Sequence, residues 1–405
     1  MPMTGAEKGP LAGVRVLDLS SVLMGPYTTQ IMADLGADVI KVESPSGDTT
    51  RSLPPGPEDD LGAMFMNVNR GKRSIVLDLK DKKARDALLR LAKDSDVFIH
   101  SMRARAIGRL GLAYEDVKAA NPDLIYANLY GYGRTGPYAD YPAYDDIVQA
   151  ASGIVALQAS LSQGEPTYLA TVVADKVAGL TAAYAIMAAL FERERIGGGQ
   201  EIEVPMFETL TSFSMLEHLC GAMFDPPIGP TGYPRALSPQ RRPYRTSDGY
   251  IAVMIYNDRH WTNFFDAIGN PEWSKDPKFK SLRTRTENIT MVLGHLSEVL
   301  EQCTTQEWMD ILTEAQCPAM PVRSIDDLID DPHLEQVGFW HRCSTADGEI
   351  RMPGLPVRFS KTPGEAGEPG PRLGQHSREI LEEANFTPEE VARLVARDEK
   401  GTQAG

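Results

Sequence analysis

Apolar residues in the first part of the chain form short runs that alternate with amphipathic stretches. Residues 14–19 have the pattern of a buried strand. Pro26 then opens a predicted helix, at a position where its missing N–H is harmless, and Gly36 ends that helix. Residues 37–42 form the next predicted strand, so the pattern indicates one βαβ unit with short connections.

The alternation continues to residue 129, with predicted strands at 74–79, 96–100 and 124–129 and predicted helices at 82–92 and 114–120. Strands that alternate with helices are typical of a parallel sheet covered by helices on both faces. We therefore expect an α/β fold with a Rossmann-like parallel sheet. In such sheets ligands bind at the carboxyl ends of the strands.

The longest apolar segment is a predicted helix over residues 174–195, followed by three glycines. Asp175 lies at its start, and no charged residue occurs from 177 to 190. A carboxylate beside so much apolar surface is costly unless a helix N-terminus or a partner stabilises it. Asp175 is therefore either a helix cap or a functional residue. Because Asp175 and Lys176 interrupt the apolar run, we interpret it as a buried core helix, with no membrane partner.

The composition changes after residue 224. Residues 225–245 are rich in Pro, Gly and Arg and mark a boundary. A strand at 249–255 and helices near 259–267, 286–300 and 305–315 follow, then a strand at 355–359 and helices within 377–396. We predict a large domain over 1–224, a smaller α+β domain over 225–325, and a return to the large domain over 326–405.

Composition excludes several function classes. The 405 residues carry a formal net charge of -15 without a basic arm, which argues against a nucleic-acid partner. The four cysteines are scattered, with no metal-type cluster, and indicate reduced thiols in a cytoplasmic protein. Gly131, Gly133 and Gly136 match G-x-G-x-x-G, but Pro137 follows, so no helix opens to receive a dinucleotide.

An ordered set of motifs resembles the class III CoA-transferase (CaiB/BaiF) family, which includes the α-methylacyl-CoA racemases. The resemblance covers about residues 11–372. It lies in LAGVRVLDLS at 11–20, LGADVIKVE at 35–43, NRGKRS at 69–74, RLG at 109–111, GPY at 136–138, YD at 144–145 and GGGQ at 197–200. The resemblance implies an interlocked ring homodimer, in which each large domain is built from both chain ends.

The resemblance also implies a site. Its nucleophile would be Asp175, which would form an aspartyl anhydride with the acyl group and then an aspartyl thioester with CoA. Coenzyme A is a substrate in this scheme, and no tightly bound cofactor or metal is needed. The expected CoA contacts are the turn formed by Ser21, Val22, Leu23 and Met24, the phosphate-binding cations Lys72 and Arg109, and Tyr144 near the thioester.

Other activities remain open. Racemisation needs two bases of suitable pKa, and Tyr144 stands where the racemase branch has a histidine. Since the reference pKa of tyrosine is about 10, this position favours the transferase. A non-catalytic acyl-CoA-binding protein and an acyl-CoA hydrolase are further alternatives. Arg241, Arg242 and Arg245 are candidate contacts for a substrate carboxylate.

Overall fold

The computed structural model describes residues 9–161, 164–345 and 348–401. Its contacts divide the chain into two compact units. The large unit runs to Ser152, resumes at Ala170–Phe213 and continues from Glu335, whereas the small unit comprises Gly153–Leu169 and Ser214–Leu334. The domain boundaries predicted at residues 224 and 325 stay a prediction.

A six-stranded sheet lies in the large unit. Its strands are β1 (Arg15–Leu19), β2 (Asp38–Glu43), β3 (Lys72–Val76), β4 (Val97–His100), β5 (Ile125–Tyr130) and β6 (Glu201–Pro205). The order across the sheet is β3-β2-β1-β4-β5-β6, and all neighbours are parallel. Leu17 of the central β1 pairs with Ile40 on one side and with Phe98 on the other. The predicted α/β fold with a parallel sheet is confirmed.

The α-helices, numbered in chain order, are α1 (Met24–Asp34), α2 (Ala63–Val68), α3 (Lys82–Ala92), α4 (Ala104–Arg109), α5 (Tyr114–Ala120), α6 (Asp145–Ala151), α7 (Ile154–Ala159), α8 (Val173–Ile196), α9 (Met206–His218), α10 (Pro234–Leu237), α11 (Asp258–Ala267), α12 (Leu282–Glu287), α13 (Ile289–Leu300), α14 (Thr305–Glu314), α15 (Ile325–Ile329), α16 (Pro332–Gln336), α17 (Ser377–Glu383) and α18 (Pro388–Gly401). The remaining strands are β7 (Tyr244–Arg245), β8 (Tyr250–Val253), β9 (Ala319–Pro321), β10 (Trp340–Thr345) and β11 (Gly348–Pro353).

The core of the large unit forms between the sheet and its covering helices. Ile40, Phe98 and Tyr126 from the strands pack in one buried cluster with residues of α3, α17 and α18. Residues near the end of the chain, such as Leu381, therefore complete a core that the first strands begin. This packing links the last helices to the sheet through apolar burial, the main favourable contribution to folding.

The small unit contains a three-stranded antiparallel sheet, β7-β8-β9, and short helices. Its core is aromatic, with Trp261, Phe264 and Trp308 among the buried members. The predicted helices near 259–267 and 305–315 correspond to α11 and α14.

The predicted strand at 355–359 is wrong. That segment has no regular structure, and Val357 and Phe359 are exposed. Pro356 lacks the N–H that a sheet ladder requires, which explains the failure. The antiparallel hairpin β10–β11 precedes it instead.

α8 is the one helix in the described parts of the chain that has the length and apolar composition to cross a bilayer, and half of its most apolar window is buried inside the protein. This burial agrees with the interpretation of α8 as a core helix.

Candidate active site

The N-terminus of α8 is capped by a carboxylate from another helix. Val172, the residue at the cap position, provides no side-chain hydrogen bond. Asp145, at the start of α6, accepts hydrogen bonds from the backbone N–H groups of Ala174 (2.7 Å) and Asp175 (3.0 Å) through one oxygen. Its other oxygen accepts from Gln149 at 2.5 Å. Asp175 is therefore not the cap of its own helix, and its carboxylate is available for other contacts.

The Asp175 carboxylate lies half-buried in the first turn of α8. Burial and the nearby negative charge of Asp145 raise the pKa of Asp175 to about 7, although a hydrogen bond from the Met24 backbone N–H acts in the opposite direction. Desolvation and like charge both disfavour the ionised form. At neutral pH the protonated and ionised forms are thus both populated, and the ionised form is more basic than an ordinary aspartate.

α1 and α8 approach each other closely beside this carboxylate. A Cβ atom added at Gly179 would lie 2.8 Å from the carbonyl oxygen of Met24 and 3.1 Å from the Tyr27 ring. The Thr28 hydroxyl donates to the Gly179 carbonyl at 3.0 Å. Only glycine leaves this space, and the close contact brings the N-terminus of α1 next to Asp175.

The turn between β1 and α1 is held on several sides. The Ser20 N–H donates to Asp18 at 2.9 Å, and the Ser21 N–H donates to the Ser101 hydroxyl at 3.2 Å. Val22 has φ +69°, in the left-handed region. A β-branched residue rarely adopts this conformation, and such strain is typical of functional sites.

A cleft of about 360 Å³ contains Asp175, and we call it the Asp175 cleft. Four of the predicted CoA contacts, Ser21, Val22, Met24 and Tyr144, line it together with Asp175. The side chain of Tyr144 is largely exposed, at 69%. The structure therefore brings most of the predicted site together at the carboxyl ends of the strands.

A second cleft of about 370 Å³ lies beside the first, along the carboxyl ends of β1, β2 and β3. Ser21 and Met102 line both clefts, so the two share a border. Lys80 lines the second cleft and Arg103 lines the Asp175 cleft, and both are exposed cations. The two clefts therefore adjoin, with Asp175 in the first of them.

The remaining predicted contacts lie elsewhere. The Leu23 side chain is buried and does not line the Asp175 cleft. Arg109 is exposed at the end of α4, where its Nε donates to the Arg105 carbonyl, and its neighbour Leu110 lines the second cleft. Arg109 is thus a sequence neighbour of a residue that lines the second cleft but does not itself line either cleft.

Lys72 does not fit the expected phosphate contact. Its side chain is fully buried, and its ammonium group donates to Asp18 (3.1 Å), the Pro26 carbonyl (2.9 Å) and Asn69 (2.8 Å). These three acceptors use all three ammonium donors. We therefore withdraw Lys72 from the CoA site, because it is the internal partner of Asp18.

The glycine motif at 131–136 binds protein carboxylates. The Gly133 N–H donates to Glu208 at 2.9 Å, and the Arg134 N–H donates to Glu203 at 2.8 Å. Between residue 136 and α6 no helix begins, so the motif is not followed directly by a helix, as the sequence predicted.

Sequence reasoning did not assign roles to Asp145, Arg103 and Asp48. Asp145 follows Tyr144 within a family motif, and Arg103 follows β4. These two positions are signals that could have identified both residues. Asp48 caps a short 3-10 helix over Thr49–Ser52, and its contact with the distant Val22 N–H has no local signal in the sequence. Arg241, Arg242 and Arg245 are exposed in the small unit, and their role stays a prediction.

Comparisons with known proteins agree with this architecture. The sequence profile of CoA-transferase family III matches residues 11–377. A succinyl-CoA:mesaconate CoA-transferase from Haloarcula hispanica is 33% identical over 93% of this chain and 96% of the relative. A succinate–glutarate CoA-transferase from Agrobacterium fabrum is 33% identical with the same two coverages. The crystal structure of a CaiB/BaiF family protein from Brucella suis has a TM-score of 0.78 and 31% identity, covering 93% of this chain and 100% of that one.

Proposed function

Because this chain belongs to CoA-transferase family III and is a CoA-transferase, we propose that it transfers coenzyme A through covalent intermediates on Asp175. One observation carries the proposal. A half-buried carboxylate with its pKa raised to about 7 lines a cleft at the carboxyl edge of the sheet. Such a group is a competent nucleophile toward a thioester when it is positioned and desolvated.

The proposed reaction exchanges one anion for another at each step. The Asp175 carboxylate attacks the thioester carbonyl, the C–S bond breaks, and a mixed anhydride and the CoA thiolate form. The thiolate then attacks the aspartyl carbonyl, which releases the donor acid as a carboxylate and leaves an aspartyl-CoA thioester. An acceptor carboxylate attacks this thioester to form a new anhydride and to free the thiolate. The thiolate attacks the acceptor carbonyl, so the new acyl-CoA forms and Asp175 is regenerated.

The two adjoining clefts support a placement for acyl-CoA. We place the thioester beside Asp175 and Tyr144, and the phosphates toward the second cleft. The exposed cations Arg103, Arg109 and Lys80 are suited to phosphate by charge and donor geometry. The shared border at Ser21 lets a single elongated ligand occupy both clefts.

We also propose that the functional form is the interlocked homodimer that the family resemblance implies. α8 supports this, since it carries large apolar side chains that are 50–79% exposed in the single chain: Leu180, Tyr184, Phe191 and Ile196. Leu180, Tyr184 and Phe191 recur on one side of α8 by helical spacing. Exposed apolar side chains grouped in this way are typical of an interaction surface. Light scattering on the purified protein should give twice the mass of the 44.4 kDa chain. A cytoplasmic location stays part of the proposal.

The names of the relatives suggest which donor and acceptor carboxylic acids to test first. Mesaconate, succinate and glutarate occur in their names. A screen of acyl-CoA donors against acids should therefore begin with these dicarboxylates and extend to monocarboxylates, with product acyl-CoA measured by mass spectrometry.

The decisive test compares two carboxylates at the same end of the fold. Asp175→Ala should lower kcat by at least about 10³-fold, because it removes the nucleophile. The matched control is Asp146→Ala, since Asp146 is an exposed aspartate at the start of α6. Borohydride added during turnover should label Asp175 in the wild type. Normal transfer by Asp175→Ala would overturn the proposal.

The same assay separates the alternative activities. Deuterium incorporation at the α-carbon without acid exchange would identify a racemase, and CoA release without an acceptor acid would identify a hydrolase. Binding without turnover would identify a non-catalytic protein. The transferase is favoured because no histidine lines the described Asp175 cleft to serve as a second base.

A further inference from the structure

A buried ion pair contacts the turn between β1 and α1 on two sides. The Lys41 ammonium donates to the Ser20 carbonyl at 3.0 Å and to Asp48 at 3.0 Å. The Asp48 carboxylate accepts the Val22 N–H at 3.2 and 3.3 Å. Both charged side chains are only 1% exposed. The pair therefore binds the backbone on both sides of Ser21.

The carboxylate of this pair is itself fixed. Asp48 accepts hydrogen bonds from the backbone N–H (3.0 Å) and hydroxyl (2.8 Å) of Thr50. Its own N–H donates to Glu43 at 3.1 Å, and Glu43 is held by two hydrogen bonds of 2.7 Å from Arg51. The position of the Asp48 oxygens is thus defined by several independent contacts.

Stability alone does not account for this arrangement. Two buried charges pay a desolvation cost that their attraction often only offsets, so a buried ion pair is weak evidence for stability. Here the pair instead satisfies the backbone of a strained residue. Val22 is β-branched and has φ +69°, a conformation that persists only where surrounding contacts determine it.

We infer that Lys41 and Asp48 act as positioning residues for the transfer reaction. They clamp the turn on two sides and hold Val22 in the left-handed region. The clamp thereby fixes the N-terminus of α1, whose first residue, Met24, lines the Asp175 cleft together with Asp175. Neither clamp residue lines that cleft, and although both border the second cleft, their charged groups are bonded to backbone atoms of the turn. We therefore assign their effect on the reaction to the position of the backbone. The inference rests on the proposed role of Asp175 as the nucleophile.

A double-mutant cycle tests the clamp, because glycine adopts positive φ without strain. Asp48→Ala should lower kcat about 30-fold in the wild-type background, since small displacements of reacting groups are costly. In the Val22→Gly background the same substitution should lower kcat less than about threefold. An equal loss in both backgrounds would overturn the inference, as would an unchanged kcat in folded Asp48→Ala.

Asp34→Ala is the matched control. Asp34 also belongs to a buried pair, with Arg70 at 2.6 Å, but it lies at the opposite end of α1. Its effect on kcat should be the same in both Val22 backgrounds. If Asp48→Ala does not fold by circular dichroism, Asp48→Asn replaces it. Asn retains an acceptor for the Val22 N–H, so kcat per folded molecule should be unaffected by Val22→Gly in this variant, and strong dependence on that background would overturn the inference.

Failure of the clamp and failure of the proposed chemistry are distinguishable. If Asp175 is not the nucleophile, borohydride leaves it unlabelled in the wild type. If Asp175 is labelled but the Asp48→Ala loss is independent of residue 22, only the clamp is wrong.

Discussion

Asp18 and Asp175 are both acidic residues at the carboxyl edge of the same sheet, and their surroundings give them opposite properties. Asp18 is fully buried, and burial alone would raise its pKa. Lys72 and Lys41, together with the hydroxyls of Ser20 and Thr29, lower the pKa of Asp18 to about 2. Asp175 instead lies near the carboxylate of Asp145, and its pKa is raised to about 7. Charge partners therefore decide whether the pKa of a desolvated carboxylate falls or rises.

Removing the cation beside Asp18 should have the largest effect of the predictions that follow. Lys72→Met leaves a buried carboxylate without the cation that forms its salt bridge, and we expect a loss of about 3–5 kcal/mol in the free energy of unfolding. Urea denaturation measures this loss. Lys83→Met, on the exposed face of α3, is the control and should change stability by less than about 0.5 kcal/mol.

The same substitution distinguishes the two interpretations of Lys72. A phosphate contact would raise the KM for acyl-CoA and leave stability unchanged. If Lys72 is instead the internal partner of Asp18, the substitution should lower the free energy of unfolding. Intact stability with a raised KM would restore Lys72 to the CoA site.

Asp145→Asn should make Asp175 resemble an ordinary aspartate. The substitution removes a negative charge and keeps an oxygen that can accept from the α8 N–H groups. We expect the acid limb of kcat/KM, which follows ionisation of Asp175 near pH 7, to move down by roughly one pH unit. We also expect kcat to fall about tenfold, because the carboxylate becomes less basic.

A pH–rate profile from pH 5 to 9 measures both changes. Asp146→Asn serves as the control because Asp146 is exposed, and the N–H groups of Ala174 and Asp175 donate to Asp145 instead. An unmoved acid limb in Asp145→Asn would mean that the neighbouring charge is not what raises the pKa of Asp175.

Asp175→Asn should stabilise the protein at alkaline pH. The pKa of Asp175 is higher in the folded chain than in the unfolded chain, so the folded state binds more protons between about pH 4 and 7. This group therefore lowers stability as the pH rises through that window, and Asn removes the effect. Urea denaturation at pH 8 should show a gain of about 2 kcal/mol in the free energy of unfolding, since the partial exposure of Asp175 limits the effect.

At pH 5 the gain should be smaller, since the wild-type carboxyl is then largely protonated in the folded state. A gain that is equal at both pH values would contradict the raised pKa. Asp146→Asn should show no such pH dependence.

The sequence predicted the sheet and α8, and it singled out Asp175 as a candidate nucleophile, because these depend on local signals. Apolar runs of strand length and a single acidic residue in an apolar helix are visible in the amino-acid sequence. Lys72 was misjudged because a lysine in a strand looks the same whether it faces solvent or a buried carboxylate. The cap from Asp145 joins residues about 30 positions apart, and the Val22 conformation depends on Asp48. Such long-range contacts follow from the tertiary fold rather than from local pattern.

Tyr144→Phe should have the smallest effect, and it tests whether the Tyr144 hydroxyl takes part in the chemistry. The Tyr144 side chain lines the Asp175 cleft but is 69% exposed, so water can replace the hydrogen bonds of its hydroxyl. We expect kcat to change by less than about threefold and the KM for acyl-CoA to rise by up to about tenfold, the range of one neutral hydrogen bond. Steady-state kinetics at pH 8 measure both, with Tyr141→Phe, another exposed tyrosine of the cleft, as the comparison. A loss of kcat by more than about 10²-fold would show that the Tyr144 hydroxyl takes part in the chemistry together with the carboxylates of Asp175 and Asp145.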